Sequence, residues 1–155
     1  MGLDISTVKK IPKEDQHKFD TIHDEKGSFP HSEGITGVIS LLGINLMERS
    51  DRLQDSFDEN GNPEAPHLVK GVPLTVAMCW NFGLQVTPNE CLKIARAINE
   101  SDAKLMAAIG VSATNYYGQF PTFYTDDDWN NEKTFLKRFA KFCEESSKCG
   151  GFFVW

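Results

Sequence analysis

Basic residues are in short supply in this chain: 16 lysines and arginines stand against 22 acids, for a formal net charge of −6. A protein held on DNA or RNA by phosphate neutralisation needs a basic face, so direct nucleic-acid binding is not expected. Long apolar runs are missing too. Every hydrophobic stretch is interrupted well short of a bilayer span, which argues against a transmembrane helix and a membrane partner. The cysteines Cys79, Cys91, Cys143 and Cys149 form no Cys-x-x-Cys pair, and the first residues lack the pattern of a secretory leader. They read as free thiols in a reducing cytosol, which makes the expected localisation cytoplasmic. Cys79, Cys91 and Cys143 have apolar neighbours and are expected to behave as small hydrophobes; Cys149, beside Gly150-Gly151, is the one expected to be accessible. Repeats and linker-like segments are absent, so residues 1–155 are expected to form a single globular domain. Signatures of cofactors are lacking as well. Gly34 and Gly37 do not have phosphate-loop spacing. In the turn-rich segment DENGNPEAP, the position where a calcium loop needs glutamate is His67. No cofactor is expected.

What is present points to a helix-rich α+β domain. Leu3, Ile5 and Thr7 alternate with Asp4, Ser6 and Val8, the period of a half-buried strand. Residues 12–30 are polar and predict at best a weak surface helix. Ile35, Val38, Ile39, Leu42 and Leu46 fall on one helical stripe within residues 35–47. Ser50 suits the cap of a short helix through Phe57, and Asn60-Gly61 marks a turn. Residues 72–82 favour a helix ended by Gly83. Thr87-Pro88-Asn89-Glu90 is a capping box, a hydroxyl and a carboxylate three residues apart that satisfy each other's backbone amides. Cys91, Leu92, Ile94, Ala95 and Ile98 form the apolar stripe behind it. A further helix is expected from Asp102 to Ile109, closed by Gly110. Thr125 and Asp128 repeat the capping logic, and Asp126, Asp127 and Asp128 suit the positive end of a helix dipole. That helix is expected to run to about Ser147, with Phe135, Leu136, Phe139, Phe142 and Cys143 inward and Lys133, Lys137 and Lys141 outward. Gly150-Gly151 stops it. Phe152-Phe153-Val154-Trp155 then forms a strand that pairs with the N-terminal one, tying both ends of the chain into one small sheet.

Three stretches hold candidate chemistry. His17, Asp20 and His23 offer metal-ligand types, but six residues on a helix turn the two imidazoles about 120° apart, and a polar surface segment is the better account. In PHSEGITG, His31 and Glu33 are natural acid–base groups beside a helix start that presents free amides; no nucleophile motif accompanies them, and a capped helix entry explains them. The third stretch is NYYGQFPTFYTDDDW, residues 115–129, which gathers 6 of the 17 aromatics. It reads as a loop in which Phe120 and Phe123 plug a core. Tyr116, Tyr117 and Tyr124, with Trp80 of Trp80-Asn81-Phe82 as a companion, offer a recognition surface. Aromatic faces of this kind also stack on a base without a basic groove.

The opening Met1-Gly2-Leu3-Asp4-Ile5, the helix start Thr87-Pro88-Asn89-Glu90-Cys91 and the ending Gly150-Gly151-Phe152 before Trp155 resemble those of uncharacterised short proteins of bacteria and their phages. The resemblance covers about a sixth of the chain. It implies a bacterial or phage cytosolic setting, which lowers the expectation of N-myristoylation raised by the match of Gly2 and Ser6 to its template. The leading expectation is a non-enzymatic binding protein, phage or mobile-element encoded, that engages and modulates a host protein, as an anti-defence inhibitor does. Its binding residues are expected to be Tyr116, Tyr117, Phe120, Tyr124 and Trp80. The alternatives are a protein that sequesters a small nucleotide-like ligand with the aromatic loop, and a small hydrolase using His31 and Glu33.

Overall fold

The structure is a computed structural model, and it describes residues 4–11, 13–14, 27–30, 33–43, 53–54, 60, 67–68, 84–117 and 125–154. In chain order the described elements are β1 (Asp4–Thr7), β2 (Ser28–Pro30), α1 (Glu33–Leu41), β3 (Leu53–Gln54), β4 (His67–Leu68), β5 (Leu84–Val86), α2 (Pro88–Glu100), α3 (Asp102–Tyr117), α4 (Asp126–Ser147) and β6 (Phe152–Val154). The class is α+β. The main sheet is antiparallel with order β2-β1-β6-β5, and β3 pairs with β4 in a separate ladder.

The two ends of the chain meet at the centre of that sheet. Ile5 faces Val154, Ser6 faces Phe153 and Thr7 faces Phe152. The ladder runs on past the strand ends, where Val8 N–H donates to the Gly151 carbonyl and Lys9 N–H to the Cys149 carbonyl, at 3.0 and 2.9 Å. Directly paired residues share a face, so Ile5, Thr7, Phe29, Val86, Phe152 and Val154 form one wholly buried face. Thr7 is polar and 0% exposed; its hydroxyl donates to the Lys9 carbonyl and accepts from Gly27 N–H, so it is satisfied both as donor and as acceptor. Phe153 belongs to the opposite face, yet it too is buried. A strand covered on both sides is why the sequence shows an unbroken apolar run here, not an alternation.

Against the first face lies α4. Phe29 packs its ring on Phe135, Phe139 and Phe142 with centroids 5.2–5.4 Å apart, and Phe152 meets Phe139 and Phe142 at 6.1 and 5.7 Å. Offset and tilted pairs of this kind add about 0.5–1.5 kcal/mol each beyond area burial. α2 packs along α4 and completes the core with Cys91, Ile94, Ala95 and Ile98. α1 packs on α3, burying Ile35, Val38, Ile39 and Leu42 with Leu105, Ala108 and Ile109.

Several boundaries differ from the sequence reading. α1 stops at Leu41, where Gly43 takes a left-handed φ of 86°, short of the expected residue 47. Leu53–Gln54 is a strand paired with His67–Leu68, where a short helix was expected from Ser50 through Phe57. Ser28–Pro30 is an edge strand, its proline at the sheet margin where a missing N–H costs least. Gly110 does not close α3: it is buried in mid-helix, and α3 runs on to Tyr117. Packing against α1 outweighs the propensity cost of a single glycine, about 1 kcal/mol. Leu92, expected inward, is 46% exposed. The helix expected over residues 72–82 lies outside the described residues.

Candidate functional site

Most polar and reactive groups of the scaffold have structural partners. The Thr87 hydroxyl accepts the Glu90 amide at 3.3 Å while the Glu90 carboxylate accepts Thr87 N–H at 2.9 Å, with Glu90 itself fully buried. At the start of α4, Thr125 and Asp128 make the same reciprocal pair at 3.2 and 2.8 Å. Bonds from the Thr125 amide, then from its hydroxyl, hold the Asp128 carboxyl below its ordinary range. Capping therefore accounts for Asp128, and the dipole for its neighbours Asp126 and Asp127 in the first turn. Burial pushes the Glu132 carboxyl upward, with the Asp128 charge adding to it.

Helix C-termini are served by lysines. Lys104 Nζ donates to the Leu42 carbonyl at 3.2 Å and Lys137 Nζ to the Ile98 carbonyl at 3.4 Å, each answering acceptors that a helix end leaves open. Lys133 and Lys137 also hold Asp102 at 2.9 and 3.2 Å, lowering its pKa chiefly through the Lys133 hydrogen bond. These two lysines, expected outward, thus lie along the junction of α2, α3 and α4.

Two of the thiols are buried, as the sequence implied. Cys91 and Cys143 are 0% exposed. Burial drives both pKa values far up, reinforced by Glu90 for Cys91 and by Cys91 for Cys143. A thiol in that state is a packing group, because the thiolate is the nucleophile and the metal ligand. Cys149 is half-buried; Cys79 lies outside the described residues. Among the described residues no group of three or more His, Cys, Asp or Glu could hold a metal ion. The His17, Asp20 and His23 set is outside them.

Of the expected site residues, Phe120, Tyr124, Trp80 and His31 lie outside the described residues. Tyr116 and Tyr117 stand in the last turn of α3 and not in a loop, and Glu33 is the first residue of α1. The helix geometry relates these positions. A Cβ at Gly37 would come within 2.6 Å of the Ser112 hydroxyl, and Leu42 is bonded by Lys104. Later residues of α1 therefore meet earlier residues of α3, and the pair is antiparallel. Stepping four residues back from Gly37 reaches Glu33, and four residues on from Ser112 reaches Tyr116, each about 6 Å along its axis. The first turn of α1 and the last turn of α3 are thus level, at one end of the pair. Position 116 is three turns beyond Leu105, and position 117 three turns beyond Met106, at about 3.6 residues per turn. Leu105 is buried and Met106 packs against the core on the inward side of α3.

Its outward row is different, and the sequence reading missed it. Ala103, Ala107 and Val111, at i, i+4 and i+8, are all exposed, Val111 at 47%. Leu41 on α1 is 41% exposed. Val111 lies two turns beyond Lys104, on the same side of α3, and Lys104 reaches across to Leu42. Leu41 and Val111 are thus exposed on the two helices whose packing forms the α1–α3 seam. The detectable signal was that α3 is apolar on more than one side, which a helix packed on one face alone does not need.

Compared with protein-family models, with curated proteins and with solved structures, the chain matches none. Among the described residues, no helix is long and apolar enough to cross a membrane.

Proposed function

We propose that this is a non-enzymatic binding protein, carried by a phage or mobile element, that engages and modulates a bacterial host protein through the outer side of the α1–α3 pair. The observation that carries the reading is the seam at Leu41 and Val111, two large apolar side chains left about half exposed on neighbouring helices. Single exposed hydrophobes are ordinary, but here Ala103 and Ala107 extend the apolar surface along α3 with side chains too small to hold a partner helix away. The phage setting comes from the resemblance at the two chain ends and at the Thr87-Pro88-Asn89-Glu90-Cys91 helix start. The test pairs Leu41→Asp with Val111→Asp and compares partner capture with that of Lys141→Glu, an exposed site on α4. The double substitution is expected to weaken the complex at least about ten-fold, roughly 1.4 kcal/mol, with far-UV circular dichroism and melting temperature unchanged. Equal capture by all three proteins would remove the seam from the account.

A second reading has one observation of its own. The level placement of the α1 start and the α3 end brings the amide end of one helix and two tyrosine positions together, which suits a small nucleotide-like ligand. The aspartates at the start of α4 disfavour phosphate at that other helix end. A thermal-shift screen of mono- and dinucleotides tests this reading. A rise in melting temperature that Tyr116→Ala with Tyr117→Ala removes supports it, and no rise at saturating concentration ends it.

A further inference from the structure

We propose that Ser146 holds one internal water molecule in the core, at the last turn of α4. Among the described residues three polar or charged side chains are buried, those of Thr7, Glu90 and Ser146, each 0% exposed. Thr7 donates to the Lys9 carbonyl and accepts from Gly27 N–H, and Glu90 accepts Thr87 N–H. Ser146 is the exception. Among the described residues its Oγ is the one fully buried side-chain oxygen or nitrogen with no hydrogen-bond partner in the protein. A hydroxyl left in that state forfeits its hydration for nothing, and buried polar groups are as a rule paired with protein or with ordered water.

The surroundings favour water as that partner. Ser146 belongs to the buried side of α4 with Leu136, Phe139, Ala140, Phe142 and Cys143, a row that is otherwise apolar and has no need of a hydroxyl for packing. A serine on a helix commonly turns its hydroxyl back onto a carbonyl of the preceding turn. The next residue does so, with Ser147 Oγ donating to the Glu144 carbonyl at 2.6 Å; Ser146 does not. Its main chain is held in place. The Ser146 carbonyl accepts Cys149 N–H at 2.9 Å and Gly151 N–H at 2.8 Å, where the chain leaves α4 for β6. Those two bonds keep the hydroxyl from moving out to solvent with the backbone. Two further groups stand within one turn of it: the Phe142 carbonyl, whose second lone pair accepts, and the Cys143 thiol, which donates. Burial pushes the Cys143 thiol far up, so it keeps the proton it would donate. With Ser146 Oγ these groups supply the two to four partners that an internal water uses.

High-resolution crystal structures of the intact protein and of its Ser146→Ala and Ser147→Ala variants, with a melting temperature for each, test the site. The parent is expected to show one water about 2.8 Å from Ser146 Oγ. Ser146→Ala is expected to lose that water and to melt a few degrees below the parent. Ser147→Ala is the control, because its hydroxyl is already paired with the Glu144 carbonyl, and it is expected to keep the water. A rise in melting temperature on removal of the Ser146 hydroxyl would show that the group stood unpaired, and would overturn the proposal. So would a parent map in which Ser146 Oγ is turned onto the Phe142 carbonyl with no water beside it. A water lost equally from both variants would also remove Ser146 as its holder.

Discussion

Thr87 and Thr125 perform one task at two helix starts, and each should be separately measurable. Replacing either with alanine is expected to cost about 1 kcal/mol by chemical denaturation, within the range of lost N-caps. Gly151 is more demanding. Its φ is 91°, and a Cβ there would lie 2.0 Å from the Val86 carbonyl oxygen, a main-chain atom that cannot swing aside. Gly151→Ala is expected to destabilise by more than about 2 kcal/mol, combining left-handed strain with a backbone clash. Asp128 gives a pH signature. Its pKa is lowered in the folded protein by the Thr125 amide and hydroxyl, so its contribution is present above the unfolded value, about 3.9, and is lost as pH falls through the lower folded value. Asp128→Asn is therefore expected to lower the neutral plateau of the melting temperature and to converge on the parent at acid pH, which flattens the acid limb. These residue-level devices were legible in advance because capping depends on side chains three residues apart, and both boxes stand in the sequence.

Between elements, the α1–α3 contact turns on Gly37 and Ser112. Alanine at 37 gains about 1 kcal/mol of helix propensity but sets its Cβ 2.6 Å from the Ser112 hydroxyl. The single substitution is expected to be nearly neutral, whereas Gly37→Ala with Ser112→Ala is expected to be more stable than the parent. A melt of the double variant below that of the parent would show that the hydroxyl carries weight of its own at the contact. At this scale the sequence was only partly readable. The inward stripes of α1, α2 and α4 follow local periodicity and were found, Leu92 apart, with Leu46 outside the described residues. Gly110 was taken as a stop because glycine ends many helices; tertiary packing carries α3 through it. The pairing of Leu53 with Leu68 depends on residues across a loop, which no local pattern reports. The outward row of α3 was passed over for the aromatic stretch beside it, since aromatics signal recognition by type while alanines signal it only by where they face.

In the molecule as a whole, the pairing of β1 with β6 joins the two ends of the chain at the sheet centre, and this was expected from the apolar final residues. Phe152 and Val154 are 0% exposed and stand between β1 and β5, so removal of residues 152–155 is expected to abolish the cooperative thermal transition. A truncated chain that still melted cooperatively would show the helices to be self-sufficient. The same framework fixes α1 and α3 with their seam outward, and the proposal that this seam binds a partner is the central claim. Its most direct measurement is quantitative affinity capture from a bacterial lysate with the parent protein, the Leu41→Asp/Val111→Asp protein and the Tyr116→Ala/Tyr117→Ala protein, each first shown to be folded. The account predicts a defined protein, retained by the parent at substoichiometric competitor, that is lost with the seam variant and kept with the tyrosine variant. Retention by the seam variant equal to that of the parent contradicts it.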